Sequence, residues 1–241
     1  IRQLKNIAEQ ISAIETNPNI SLETLNRYLP DEPHNTLPLH IKGKGKQTTF
    51  SPDTEMLFKA MVEMKKDIEK VLFSEEQIAQ IVDRLGATIT KDYENKNLLL
   101  VGILKGSVIF MADLMRKINL PCKIEFMALS SYGASTRSSG VVRIIKDLSI
   151  DIEDYDVLII EDILDSGNTL SKLKAMLELR NPKSLKICAF FDKPERRTAD
   201  IKADYIGAEI PDEFIVGYGL DFTEKYRNLP YVGVIKPELY N

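Results

Sequence analysis

Residues 157–170 of the chain read VLIIEDILDSGNTL. Four aliphatic residues lead into Glu161 and Asp162, and a third carboxylate, Asp165, comes just before Ser166-Gly167-Asn168-Thr169. The pattern predicts a buried strand, a sharp turn, and then a helix with Leu170, Leu173, Met176 and Leu177 on one face that stops at Asn181-Pro182. Crowding three acids at a strand end is unfavourable unless something cationic or proton-carrying sits there. If the strand continues, Glu161 and Asp162 point to opposite faces, so at most one binds a given ligand group directly. The turn at 165–169 offers backbone N–H groups, two hydroxyls and the positive end of a helix dipole, a cradle suited to a phosphate monoester. It is not a Walker A loop, because no GxxxxGK[ST] occurs in the chain.

The same alternation extends outward. Residues 74–77 (SEEQ) have capping-box spacing, and Ile78, Ile81, Val82 and Leu85 follow on one helical face. Residues 98–104 form a strand run, 107–117 a helix, 123–129 a strand, and 185–191 and 214–220 two more strands. Strand–helix alternation of this kind implies an α/β fold, a mostly parallel sheet covered by helices. In such sheets ligands bind beyond the carboxyl ends of the strands. Upstream the composition changes. Residues 1–63 hold five of the eleven prolines and both histidines, His34 and His40. Within them Leu4, Ile7, Ile11 and Ile14 share a helical face, and Ser21 is placed to cap a second short helix. Residues 31–53 read as a linker. Ser51-Pro52-Asp53 then looks like a helix start, with the helix running through Met64 towards Leu72.

Composition excludes several classes of function. The 241 residues are 44 % hydrophobic and 28 % charged, and the net charge is -4 with the signs well mixed. No basic stripe points to nucleic acid. The longest apolar run is too short to span a bilayer, so no membrane partner is expected. Cys122 and Cys188 stand apart with no CxxC spacing, which suits a reducing cytoplasm. Without histidine beyond residue 40, Ser-His-Asp catalysis and His-ligated metal sites are disfavoured.

The order aliphatic-Glu-Asp-x-x-Asp-Ser-Gly-x-Thr resembles the phosphoribosyl-pyrophosphate-binding motif of type I phosphoribosyltransferases, in the branch acting on hypoxanthine and guanine. The resemblance covers about 64–241, and Met64 would serve as a natural start. It implies the type I fold: a mostly parallel sheet flanked by helices with a small hood, here with a helical N-terminal extension. It also implies transfer of the 5-phosphoribosyl group from phosphoribosyl pyrophosphate to N9 of a 6-oxopurine, in purine salvage.

The resemblance assigns roles residue by residue. Asp165, Ser166, Gly167, Asn168 and Thr169 take the 5′-phosphate, and Glu161 and Asp162 hold the ribose hydroxyls, directly or through Mg²⁺. Asp165 is the candidate general base. Lys105-Gly106, on their own a glycine turn with Ser107 capping a helix, become the pyrophosphate loop, often built on a non-proline cis peptide. The Ser- and Gly-rich stretch 131–146 becomes a mobile lid opening with Ser131-Tyr132. Lys193 donates to the purine O6, Phe214 stacks on the ring, and the Ile215 main chain reads the base edge. Asp221 holds Mg²⁺ on the pyrophosphate, and Arg227 contacts that group. A homodimer or homotetramer is implied.

A second class that the motif allows is a phosphoribosyltransferase-like regulator that senses phosphoribosyl pyrophosphate without catalysis. Retention of Asp165, Lys193, Phe214 and Asp221 speaks against it. A Rossmann binder lacks its glycine fingerprint. Residues 1–6, with the helical segment that follows to residue 30, resemble the end of the ATPase module of bacterial enhancer-binding transcription activators. The Gly-Asn that precedes the arginine of that signature is not among the 241 residues, nor are the phosphate-binding and acidic motifs, so Arg2 is not expected to act in ATP hydrolysis in this chain.

Overall fold

The computed structural model describes residues 64–131 and 142–240. Expectations for residues 1–63, including the linker and the helix start at Ser51, lie outside these residues, as does Tyr132. The elements run in this order: β1 (Ile68–Phe73), α1 (Glu75–Asp92), β2 (Leu98–Leu104), α2 (Val108–Met115), β3 (Lys123–Ser131), β4 (Val142–Lys146), β5 (Asp156–Leu164), α3 (Asn168–Glu178), β6 (Ser184–Asp192), β7 (Tyr205–Glu209), β8 (Ile215–Val216) and β9 (Val232–Ile235).

Six strands form one sheet in the order β4-β3-β2-β5-β6-β7, parallel throughout except for the antiparallel edge strand β4. β2 and β5 are buried on both faces, as parallel strands under helices must be. Alternate residues supply two cores. Leu98, Leu100, Leu158 and Ile160 pack with α1 and α2, through Ile78, Val82, Leu85, Phe110 and Leu114. Leu99, Val101, Val157 and Ile159 pack with Leu170, Leu173 and Leu177 of α3. A second, three-stranded antiparallel sheet, β1-β9-β8, has its own small core of Val216, Tyr226, Leu229 and Ile235. This is the hood.

Chain order along the main sheet runs outward from β2 to β3 on one side and from β5 through β6 to β7 on the other. The strand order therefore reverses between β2 and β5, which pair directly at Gly102 and Ile160. In a doubly wound sheet the crevice beyond such a reversal is where ligands bind. Here it is flanked by Lys105-Gly106 and by the acids of residues 161–165.

Local signals were obeyed where the chain could satisfy them locally. Ser74 and Gln77 form the expected capping box on α1. Four expectations are corrected. The helix read towards Leu72 stops at residue 66, because residues 68–73 pair antiparallel with β9 and Ile68 joins the hood core. The stretch 131–146 is not all loop: Ser131 belongs to β3, and β4 pairs with it, packing Ile144 inward and leaving Ile145 exposed. The strand read over 214–220 holds only for Ile215 and Val216, because positive φ at Gly217, Tyr218 and Gly219 turns the chain. Ser107 sits at the start of α2 but does not cap it; its hydroxyl donates to the Ile103 carbonyl at 2.6 Å.

Candidate active site

β5 continues through both acids, so Glu161 and Asp162 do fall on opposite faces at its carboxyl end. Oε2 of Glu161 is buried and has no hydrogen-bond partner among the described residues. Burial pushes the Glu161 carboxyl well above the usual carboxylate range, and the charge of Asp162 adds to the rise. Asp162 is pushed up to about 6, chiefly by burial, with Asp221 adding and the Ile163 N–H and Arg227 opposing. The Ile163 N–H donates to Oδ1 of Asp162 at 2.9 Å. The protein thus leaves its crowded acids without full compensation, which marks a place for a cation or for hydroxyl donors.

Behind the acids the turn is fastened from outside. Arg197 donates to the carbonyls of Asp165 (2.9 Å), Leu164 (3.0 Å) and Ile201 (2.8 Å), and to the carboxylate of Asp192. The Ser166 carbonyl accepts the N–H groups of Thr198 and Ala199, each at 3.0 Å. Gly167 has φ 78, and a Cβ there would lie 2.5 Å from Ile201, so glycine is required. With the carbonyls held, the N–H groups of Ser166, Gly167 and Thr169 have no acceptor among the described residues. The start of α3 therefore presents N–H groups that could take an anion. Oδ1 of Asp165 accepts no hydrogen bond and lies 3.4 Å from Nε of Arg196.

Across the crevice the Leu104–Lys105 peptide is cis, as the resemblance implies. Gly106 is wedged between two neighbours. A Cβ on it would overlap Oδ2 of Asp162, and a Cβ on Gly219 would overlap the Gly106 carbonyl. These contacts draw Lys105-Gly106, the acids of β5 and the segment carrying Asp221 into one cluster. Arg227 pairs with Asp221 at 2.8 Å and donates to the Gly219 carbonyl at 2.8 Å, while its Nε has no partner among the described residues. Oδ2 of Asp221 accepts the Glu224 N–H at 2.8 Å. Nζ of Lys105 lies 3.0 Å from Oε2 of Glu224.

Lys193 directly follows β6, and Phe214 and Ile215 lie in the hood. Lys193 is only 5 % exposed; its Nζ donates to the Glu213 carbonyl at 2.8 Å and lies 3.6 Å from Asp212. An ammonium has three donors, so capacity remains for another acceptor. Phe214 is 39 % exposed, which rules out a purely core role, and it stacks on Tyr240 with ring centres 5.1 Å apart. Phe222 meets it edge-on at 5.5 Å. Ile215 is buried in β8 opposite Val234. Ser131 ends β3.

No group of three or more His, Cys, Asp or Glu among the described residues is arranged to hold a metal alone. Glu161, Asp162 and Asp221 therefore do not form a closed cage. Sequence reading missed Arg197, Glu224 and Tyr240. A run of PERRTAD carries no sign that one arginine folds back onto carbonyls more than thirty residues earlier.

Residues 70–223 match the phosphoribosyl transferase domain family, and the chain belongs to it. Its relatives narrow the branch. The hypoxanthine-guanine phosphoribosyltransferase of Bacillus subtilis is 56 % identical over 177 residues, covering 73 % of this chain and 98 % of that protein. A crystal structure of a hypoxanthine phosphoribosyltransferase from Staphylococcus aureus is 54 % identical, with a TM-score of 0.72, covering 74 % of this chain and 97 % of that one. A hypoxanthine phosphoribosyltransferase from Trypanosoma cruzi, solved as a ternary substrates complex, is 40 % identical with a TM-score of 0.70, covering 73 % of this chain and all of that one.

Proposed function

We propose that the chain transfers the 5-phosphoribosyl group of 5-phosphoribosyl 1-diphosphate to N9 of hypoxanthine or guanine, giving the purine 5′-monophosphate and diphosphate. The observation that carries this is the buried, unpartnered carboxylate oxygen of Glu161, beside Asp162 and next to an anion cradle with unclaimed N–H groups. Acid and cradle side by side fit a sugar phosphate, hydroxyls to the one and phosphate to the other. High identity to the Bacillus subtilis enzyme, along nearly its whole length, supports the same reading.

The 5′-phosphate takes the N–H groups and hydroxyls of residues 165–169, and Glu161 and Asp162 hold the ribose hydroxyls, directly or through Mg²⁺. Loss of diphosphate from C1 builds positive charge on the ribose, which the nearby carboxylates stabilise. Lys105, the Gly106 backbone and Arg227 hold the leaving anion. Asp165, with Oδ1 free of hydrogen bonds, accepts the proton from N7 as N9 attacks. Lys193 donates to O6, Phe214 stacks on the ring and the Ile215 main chain reads its edge. A fixed cation suits a carbonyl acceptor and disfavours the amino group of adenine. The stretch opening with Ser131-Tyr132 closes over the centre and excludes water. Glu161, Asp162 and Asp221 are the residues that would hold Mg²⁺; an ion that keeps waters and takes phosphate oxygens needs only one or two carboxylates. Bound there, it would neutralise charge on the diphosphate.

Residues 64–241 carry this activity in our reading, residues 1–63 are a dispensable extension, and the enzyme works in the cytoplasm as a homodimer or homotetramer. Deleting 1–63 and measuring turnover and molar mass by light scattering checks both parts. Incubation of the full chain with phosphoribosyl diphosphate, Mg²⁺ and each purine tests the function. We expect IMP and GMP with equimolar diphosphate, and little AMP. No nucleotide from any purine would overturn the reading.

A further inference from the structure

The carboxylate of Glu224 stands between the two cations assigned above to the leaving diphosphate. Its Oε2 lies 3.0 Å from Nζ of Lys105 and 3.5 Å from Nη2 of Arg227, so one oxygen bridges both. The backbone aims it there. Phe222 and Lys225 bridge as a tight turn, with φ 50 at Thr223 and φ 62 at Glu224, and the Glu224 N–H is tied to Asp221. The side chain itself is 63 % exposed, and the ion pair with Lys105 is open to solvent. An anion held by its backbone but exchangeable at its carboxylate can leave when a stronger anion arrives.

We propose that Glu224 is an intramolecular stand-in for diphosphate. It keeps Lys105 and Arg227 converged when the site is empty and competes with diphosphate for the same two cations, which favours release of the product. The proposal rests on Lys105 and Arg227 being the diphosphate clamp. One carboxylate of single charge, shared between two cations, cannot match a multiply charged anion, so Glu224 lowers affinity without blocking the site. Screening by salt should weaken the competition, because the pair is exposed.

The test is inhibition by magnesium diphosphate against phosphoribosyl diphosphate, for the full chain and for Glu224→Gln. Glutamine keeps the length and the backbone preference while removing the charge. Exposed ion pairs are weak, so the inhibition constant should tighten by about two- to fivefold in the variant. The gain should shrink at high salt, and the KM for hypoxanthine should be unchanged. An inhibition constant unchanged or weaker in Glu224→Gln, at low salt and with the variant's melting temperature intact, would overturn the stand-in. If diphosphate fails to inhibit the unmodified chain, the clamp reading itself fails, and the proposal with it. Glu224→Ala provides the second variant: it must tighten binding in the same direction.

Discussion

Gly106 packs against Asp162 so closely that a side chain on the glycine would overlap the carboxylate. Two segments nearly sixty residues apart in sequence thereby meet, and Asp162 of β5 ends up against Gly106. The glycine is required for space and not for a positive φ. Gly106→Ala must push Asp162 or the Lys105 loop aside by roughly an ångström, a displacement that costs about 100-fold where reacting groups are held in place. Steady-state kinetics of the variant should show that loss in kcat/KM for phosphoribosyl diphosphate. Activity within about threefold of the unmodified chain would mean the contact positions nothing.

The acids also make stability depend on pH with an unusual sign. Asp162 is ionised less readily folded, at about 6, than in an unfolded chain at about 4. Below about 4 it is neutral in both states and its burial costs no charge. Between about 4 and 6 the folded chain binds the extra proton, so this contribution to stability falls as pH rises and is lost above the folded value. The raised carboxyl of Glu161 acts in the same direction. Asp162→Asn removes the dependence. Without Mg²⁺ or phosphate, the melting temperature of the variant minus that of the unmodified chain should grow more positive from pH 4 to 7. A difference flat across that window would contradict the burial described for Asp162.

Arg197 ties together the ends of β5 and β6 through three carbonyls and Asp192. Both members of the ion pair are largely buried. Removing one partner of such a pair leaves a charge and several carbonyls without compensation, so Arg197→Ala should cost about 3 kcal/mol. Urea unfolding measures this, and a cost under about 1 kcal/mol would show that the turn holds itself.

Much of the fold could be read locally. The capping box at Ser74, the doubly buried runs of β2 and β5, and the α3 face ending before Pro182 each depend on residues near in sequence, and each was recovered. The hood could not be read that way. Residues 68–73 (IEKVLF) carry an ambiguous period and become a strand only because β9 lies alongside. Residues 232–235 and 205–209 are too short for periodicity to separate from loop. At the site, the acids and the turn after them are visible as a contiguous motif. What holds them is not: Arg197 reaches back over thirty residues, and Glu224 finds Lys105 across more than a hundred. Long-range polar contacts leave no spacing in the sequence.

In the proposed reaction Asp165 accepts the N7 proton during phosphoribosyl transfer. This role is tested most directly by IMP formation at saturating phosphoribosyl diphosphate, Mg²⁺ and hypoxanthine, comparing the unmodified chain with Asp165→Asn. Asparagine keeps the shape and the turn but cannot serve as the base. We expect a kcat lower by about 10²- to 10⁴-fold in the variant, with the KM for phosphoribosyl diphosphate within a few fold. Equal kcat values in the two proteins would contradict it.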